Sequence, residues 1–222
     1  CIVLLDGFDT AAIGYIAPSL MAEWGIAKSA LGPVLSAALF GLAGGALCAG
    51  PLADRFGRKA VLVASVLVFA LACLASGYSH SLEHLTVWRF ITGLGLGAAM
   101  PNAVTLMSEY CPDKRRAMIT NAMFCGFPLG AAFGGFLAAW MIPHFGWRSV
   151  LYLGGIAPLL LLVLLVLLLP ESVRYMVARG AAPQRIRQVL ARIAGPAVAN
   201  IQQFVLTDTE RSVVCASWPV AA

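Results

Sequence analysis

Two aspartates near the start of the chain lie in a stretch that is otherwise apolar. Asp6 and Asp9, in VLLDGFDTAAIG, would project from one face of a helix, about 5–6 Å from each other. An ionised carboxylate costs about 2.5–3.5 kcal/mol at the centre of a membrane helix on insertion scales, so it usually faces a cation or water. Arg89 is the cation that another apolar stretch supplies. These three residues are therefore candidates for ion-pair or proton-transfer chemistry.

The elements that must hold these charges are themselves apolar. Of the 222 residues, 60% are hydrophobic and 11% are charged, whereas a soluble domain has about 25% charged residues. A bilayer-spanning helix takes about 20 apolar residues. The stretches without Asp, Glu, Lys or Arg that approach or exceed this length are 29–53, 60–82, 90–108, 117–147 and 149–170. With residues 1–24 as one more span, we expect an all-α membrane protein with six transmembrane helices.

Basic residues are distributed unevenly between the two sides that this topology defines. They cluster after spans two, four and six, whereas the opposite loops hold only Lys28 and Arg148. Because Lys and Arg favour the cytoplasmic side, we predict a multi-pass protein of the cell (inner) membrane with both ends in the cytoplasm. The net charge of +5 then follows from topology and does not indicate binding to nucleic acid.

An internal repeat relates residues 41–62 to residues 130–151, which align without a gap. In this alignment Gly41 meets Gly130 and Gly45 meets Gly134. Because three is odd, the two copies of a three-span repeat must enter the membrane from opposite sides. This arrangement is an inverted repeat of the kind found in secondary transporters. We therefore predict a 3+3 bundle, in which the glycines spaced four apart allow close helix packing and need no ligand.

The segment GPLADRFGRK, from Gly50 to Lys59, is predicted to form a loop between spans two and three. Gly50 and Gly57 permit close backbone approach and a tight turn, and Asp54 can pair with a basic side chain or a helix N-terminus. An ordinary basic loop would explain the arginines but not the order of these residues. The predicted gating residues are Gly50, Asp54, Arg55, Gly57, Arg58, Lys59, Glu109 and Arg116.

This segment resembles the signature loop between spans two and three of the major facilitator superfamily. The stretches WRFITGLGLGAA, EYCPDKRR and PESVRYM are similar to other parts of that family. DGFD and APSLMAEWG resemble the aromatic acid:proton symporters of the superfamily, which take up benzoate-type compounds in bacteria. The resemblance implies half of a twelve-helix fold, namely the N-terminal half, with a missing C-terminal six-helix half as its partner.

The resemblance also implies roles in coupling or substrate contact for Asp9 and Arg89. Arg89 can hold a carboxylate through two hydrogen bonds, and protonation of Asp9 would free Arg89 for that anion. Asp6 and Asn102 are further candidates, although Asp6 can instead lie near the cytoplasmic surface and Asn102 can bond to its own helix. Counting about 1.5 Å per residue puts Asp9 well below Arg89, so contact between them requires helix tilt or an outer end of span one nearer Pro18.

The resulting hypothesis is secondary active transport by alternating access, with symport of a proton and a small organic anion, most simply an aromatic carboxylate. Alternatives are a major facilitator carrier for a sugar, another metabolite or a drug, and a membrane bundle that transports nothing. We expect no enzyme, because no nucleophile or acid–base constellation occurs outside these charges. Neither the histidines nor the six cysteines have metal-ligand spacing, so we expect no metal and no cofactor. The cysteines within spans are interpreted as small buried apolar residues.

The domain boundaries follow from the change in composition after the last apolar stretch. Residues 1–170 are predicted to form the six-helix transmembrane bundle in the lipid bilayer. Residues 171–195 should contain a basic amphipathic cytoplasmic helix, because apolar residues recur at helical spacing from Ile186 to Ile193. Residues 196–222 show no clear period and are predicted to be a cytoplasmic linker, the start of the central loop.

Overall fold

The computed structural model describes residues 1–111, 115–178 and Gln184, and its regular secondary structure there is entirely helical, as the sequence predicts. The chain falls into two units, Cys1–Leu169 and Pro170–Ala222. The elements are α1 (Ile2–Trp24), a 3-10 helix (Lys28–Leu31), α2 (Gly32–Phe56), α3 (Arg58–Gly77), α4 (Leu82–Tyr110), α5 (Arg116–Phe124), α6 (Gly126–Phe145), α7 (Arg148–Leu168) and, in the second unit, α8 (Val173–Ala178).

Five helical segments of the described chain are long and apolar enough to cross a membrane. They are Lys28–Phe56, Arg58–Gly77, Leu82–Tyr110, Arg116–Phe145 and Arg148–Leu168. These segments match the charge-free stretches of the sequence. Helix α1 is 23 residues long but contains Asp6, Asp9 and Glu23, and it is not among the five. A sixth span therefore stays a prediction.

The segment between α2 and α3 is not the loop that the sequence suggested. Helix α2 continues to Phe56 and α3 begins at Arg58, so Gly57 alone separates them. Its φ of 96° and ψ of 148° belong to a region that glycine occupies without a steric penalty. Gly50 lies within α2, and a Cβ added there would meet nothing within 4 Å. The predicted tight turn is thus confirmed at Gly57, whereas the described residues show no close approach at Gly50.

The predicted fifth span is also divided. Helix α5 ends at Phe124 and α6 begins at Gly126, with Cys125 at the joint. The amide of Cys125 still donates to the carbonyl of Asn121, and the amide of Leu129 donates to the carbonyl of Cys125. Helical hydrogen bonds therefore continue across Cys125, and Arg116–Phe145 retains the length of one span.

The helices pack closely where the sequence spaces glycines four apart. A Cβ added to Gly45 would lie 2.2 Å from the carbonyl oxygen of Leu94, and one added to Gly97 would lie 2.0 Å from that of Leu42. These positions hold α2 and α4 against each other. Helix α6 packs on α1 in the same way, because a Cβ on Gly130 would lie 1.8 Å from the carbonyl oxygen of Leu4. Close packing, which small residues permit, is confirmed.

Helix α1 is fixed by polar contacts as well as by packing. The hydroxyl of Tyr15 donates to the carbonyl of Ala131 in α6 at 2.7 Å. The carboxylate of Glu23 accepts from Trp147 Nε1 and pairs with Arg148 at 2.9 Å, where α7 begins. Both contacts tie α1, the helix that carries Asp6 and Asp9, to the second half of the bundle.

Some predictions concern residues that the structure does not describe. The amphipathic helix expected within residues 171–195 lies outside the described residues from position 179 onward, except Gln184, and the linker at 196–222 lies outside them altogether. Residues 112–114 between α4 and α5 are likewise outside. The proposed domain boundaries therefore stay predictions.

Candidate functional site

Asp9 and Arg89 form a buried ion pair between α1 and α4. Arg89 Nη1 lies 2.8 Å from Asp9 Oδ2, and the two residues are 1% and 3% exposed. At about 1.5 Å per residue, Asp9 lies about 22 Å along α1 from Trp24, whereas Arg89 lies about 10 Å along α4 from Leu82. The ends of the two helices therefore do not predict this contact, which joins residues that a count along each helix would separate.

The remaining donors of Arg89 have no partner among the described residues. Nε and Nη2 are both buried and make no hydrogen bond there. A buried donor that lacks an acceptor costs about 1–3 kcal/mol, and more if it is charged. One end of the guanidinium thus neutralises Asp9, while Nε and Nη2 can still donate two parallel hydrogen bonds to a carboxylate.

A cavity of about 320 Å³ lies between α1, α2 and α4, and the ion pair forms part of its wall. Its charged and polar lining consists of Asp9, Arg89 and Thr10. The rest of the lining is apolar and consists of Ile13, Leu35, Ala38, Leu39, Leu42, Gly93 and Leu96. A few polar groups in a mostly apolar cavity are typical of a small-molecule site. Here a cation and an apolar wall suit a ligand with a carboxylate and a ring.

Cys73 of α3 contacts the other oxygen of Asp9. Its Sγ lies 3.3 Å from Asp9 Oδ1 and 3.4 Å from the carbonyl oxygen of Leu151 in α7. Cys73 is buried, but Cys48 and Cys125 are exposed in this chain. The interpretation of the span cysteines as buried apolar residues is therefore wrong for those two and incomplete for Cys73, which helps to orient Asp9.

Asp6 is buried next to this site but has a different environment from Asp9. It is 2% exposed, and its Oδ1 lies 3.4 Å from the hydroxyl oxygen of Thr10, one turn along α1. Among the described residues Asp6 has no ion pair. In contrast to Asp9, Asp6 therefore lacks, within the described part of the chain, a cation that could stabilise a negative charge.

The structure does not bring Asn102 to this cavity. Its side-chain amide donates to the carbonyl of Ala98 at 2.8 Å, and the residue is buried within α4. This is the bond to its own helix that the sequence left open as an alternative. Asn102 is absent from the described residues that line the cavity around Arg89.

The predicted gating residues lie where α2, α3 and α4 end or begin. Arg58 at the start of α3 pairs with Glu109 at the end of α4. Lys59 donates to the carbonyl of Val166 in α7 at 3.0 Å. Asp54 is exposed and has no ion pair within the described part of the chain. Arg58 with Glu109 is thus an ion pair between helices, next to the Gly57 turn.

The other predicted gating residues occupy different positions around this segment. Gly50 lies on an exposed part of α2. The guanidinium of Arg55 lies over the ring of Phe56 at 5.3 Å, which is within the range of a cation–π contact. Arg116 is the first residue of α5. In this segment the ion pair of Arg58 with Glu109 joins α3 to α4.

Comparison with known sequences identifies relatives of this bundle. The profile of the Major Facilitator Superfamily matches residues 1–216. The chain is 58% identical over 209 residues to the 4-hydroxybenzoate transporter PcaK of Pseudomonas aeruginosa, covering 94% of this chain and 47% of that protein. It is 53% identical over 208 residues to the gallate transporter of Pseudomonas putida, covering 94% and 46%. The chain spans about half the length of the curated relatives it matches.

Solved structures show the same fold. The xylose transporter XylE from E. coli, in an inward-open conformation, superposes with a TM-score of 0.74 at 23% sequence identity. The match covers 97% of this chain and 54% of that protein. Fold and sequence therefore agree with the resemblance that the Gly50–Lys59 segment carries, and the chain belongs to the Major Facilitator Superfamily.

Proposed function

We propose that this chain forms the N-terminal half of a transporter that takes up an aromatic carboxylate together with a proton. The observation that carries the proposal is Arg89, a buried arginine that lines a mostly apolar cavity and has two donors without a partner among the described residues. The relatives named for 4-hydroxybenzoate and gallate support this substrate class, because both compounds combine a carboxylate with a benzene ring. The remaining wall of the site would come from a C-terminal half.

Substrate binding follows from the geometry of the guanidinium. Arg89 presents Nε and Nη2 along one edge, and the two oxygens of a carboxylate match that edge. The ring would pack on aliphatic side chains of α2, chiefly Leu35, Leu39 and Leu42. A lysine at this position would supply the charge but not the planar pair of donors.

Proton coupling follows from the double role of Asp9. When Asp9 is ionised it neutralises Arg89 and competes with the substrate for that cation. When Asp9 is protonated, Arg89 lacks a counterion, and the substrate carboxylate takes the place of the Asp9 carboxylate. The proton and the anion thereby favour each other's binding, which is the reciprocity that a coupled transporter requires. Asp6 is the second candidate for the proton, because it lies one turn away and is also buried.

Alternating access would use a six-span inverted repeat in which α1 is the additional span. The two sets of three spans, α1 to α3 and α4 to α7, exchange equivalent contacts. Helix α2 packs on α4 through Gly41 and Gly45, and α6 packs on α1 through Gly130 and Gly134. This exchange supports two inverted copies of three helices. The Arg58–Glu109 pair would form a cytoplasmic latch that opens and closes during the cycle.

The alternative substrates have less support from the cavity. The likeness to the xylose transporter XylE is at 23% identity and shows the fold alone. A sugar needs many hydrogen-bond partners for its hydroxyls, whereas the wall described here is largely aliphatic. The buried cation favours an anion over a neutral drug.

Uptake in cells that express the full-length protein tests the proposal. Labelled benzoate-type acids should enter, whereas benzamide, which has the same shape without the negative charge, should not compete with them. A protonophore should abolish accumulation of the acid against its gradient. Equal competition by the amide, or no acid uptake at normal expression, would contradict the proposed function.

A further inference from the structure

We propose that Thr10 is a specificity-determining residue of the cavity, whose hydroxyl oxygen accepts a hydrogen bond from a hydroxyl group on the ring of the substrate. This inference rests on the proposed function and narrows its substrate class. Arg89 binds the carboxylate that all substrates share. Thr10 contacts the ring substituent by which aromatic carboxylates differ from one another.

The composition of the cavity wall singles out Thr10. Among the described residues that line the cavity, it is the one polar side chain besides the ion-paired Asp9 and Arg89. Thr10 follows Asp9 directly, so its side chain points about 100° further around α1. A ligand whose carboxylate contacts Arg89 can therefore place a different part of its ring against Thr10.

The hydroxyl of Thr10 is used differently from those of three other helical threonines. Thr86, Thr92 and Thr105 each donate to the backbone carbonyl four residues earlier, at 2.7–2.8 Å. This local bond is a common way for a threonine to satisfy its hydroxyl within a helix. Thr10 instead has its Oγ1 3.4 Å from Oδ1 of Asp6. Its side chain is exposed, whereas Asp6 and Asp9 are buried.

The hydrogen-bonding capacity of Thr10 matches a phenolic hydroxyl. A threonine hydroxyl has one donor hydrogen and two acceptor lone pairs. The hydrogen points to Asp6, which leaves the lone pairs for a donor. A phenolic hydroxyl is such a donor, and it would connect the substrate through Thr10 to Asp6. A site that holds a substrate hydroxyl in this way disfavours the analogue without it, because the protein group is then left unpaired.

The test compares two acids that differ by one hydroxyl, benzoate and 4-hydroxybenzoate, in cells that express the full-length protein. The quantity measured is the ratio of kcat/KM for 4-hydroxybenzoate to that for benzoate. Thr10→Val removes the hydroxyl with little change in shape and should lower this ratio about threefold to tenfold, the worth of one neutral hydrogen bond. Thr10→Ser restores a hydroxyl and should keep the ratio near that of the native protein.

Thr86→Val is the matched control. It also removes a hydroxyl from a membrane helix, but that hydroxyl donates to the carbonyl of Leu82, so the ratio should not change. The ratio is taken within each variant and does not depend on how much protein reaches the membrane. If Thr10→Val does not reach the membrane at all, Thr10→Ala provides a second variant without the hydroxyl.

The outcomes distinguish this inference from the proposed function. A lower ratio in Thr10→Val and Thr10→Ala, and not in Thr86→Val, supports the role of Thr10. Equal loss of both acids, or an unchanged ratio, overturns it, because Thr10 then acts only on Asp6 or on packing. If the native protein takes up both acids with the same efficiency, the inference fails while the proposed function stands. If it takes up neither, both fail.

Discussion

Replacement of Asp9 by asparagine separates the two tasks that the buried ion pair combines. Asparagine has nearly the shape of the protonated carboxyl group and cannot ionise. Because Asp9 and Arg89 are 3% and 1% exposed, bulk water cannot take over the neutralisation of Arg89. The variant should therefore resemble the proton-loaded state permanently, with Arg89 as a buried cation that lacks its counterion.

The free energy involved is large enough to measure. Removal of one partner from a buried ion pair typically costs about 3–5 kcal/mol. A substrate carboxylate that neutralises Arg89 recovers part of this cost, and in the variant it no longer competes with Asp9. If about 1.4 kcal/mol of it appears in binding, the Kd of the acid falls about tenfold relative to the native protein. The unliganded variant should also unfold more easily.

Purified full-length protein in liposomes allows the three relevant measurements. Asp9→Asn should bind labelled acid more tightly, retain counterflow exchange and lose accumulation driven by a pH gradient. Asp6→Asn is the matched control, because Asp6 has no ion pair among the described residues and its loss leaves the Asp9–Arg89 contact intact. This control should show no gain in affinity.

Two results would refute this reasoning. Weaker binding in Asp9→Asn would mean that Asp9 holds Arg89 in its binding geometry and does not compete with the substrate. Accumulation that is still driven by a pH gradient in Asp9→Asn would remove Asp9 from the coupling role. In that case Asp6 would be the proton carrier to test next.

Further predictions concern the anion site, the turn between α2 and α3, and the topology. Arg89→Lys keeps the charge but loses the two-donor edge, so the Kd for the labelled acid should rise about tenfold or more. Gly57→Ala must adopt a φ of 96° and should cost about 1–3 kcal/mol in unfolding measurements, whereas Gly50→Ala, within α2, should stabilise by up to about 1 kcal/mol. In a background without cysteines, Asp54→Cys and His80→Cys should react with an impermeant thiol reagent from opposite sides, and labelling from one side would refute the topology.

The parts of the fold that the sequence predicts correctly are those that depend on local requirements. A helix in lipid must satisfy its own backbone hydrogen bonds and avoid charges, so the charge-free stretches match the five apolar segments of the structure. Glycines spaced four apart, such as Gly41 and Gly45, mark faces where backbones approach, and no other residue type fits there. The positive φ at Gly57 follows from the same kind of local constraint.

The site could be predicted only in part, because its contacts join distant segments. A count along each helix places Asp9 and Arg89 at different depths, yet the two side chains meet in the folded structure. Cys73 was missed because its bond to Asp9 spans 64 residues of sequence. Thr10 was also missed, although a polar residue directly after the second aspartate was an available signal. The length of the connection between α2 and α3 was overestimated, because the polar sequence around Gly57 resembles a loop.

On the proposed mechanism, the charges of the cavity determine how many protons accompany each substrate. With Asp9 ionised and no substrate, Arg89 is neutralised, and with Asp9 protonated and a carboxylate bound it is neutralised again. The two half-loaded states leave one uncompensated charge in an apolar environment, which costs several kcal/mol. The carrier should therefore move one proton with each monovalent acid and no net charge. Uptake into liposomes should then be insensitive to an imposed membrane potential at fixed pH. Uptake that rises with a negative interior would require a second proton, and Asp6, buried and without a cation among the described residues, is where the structure could hold it.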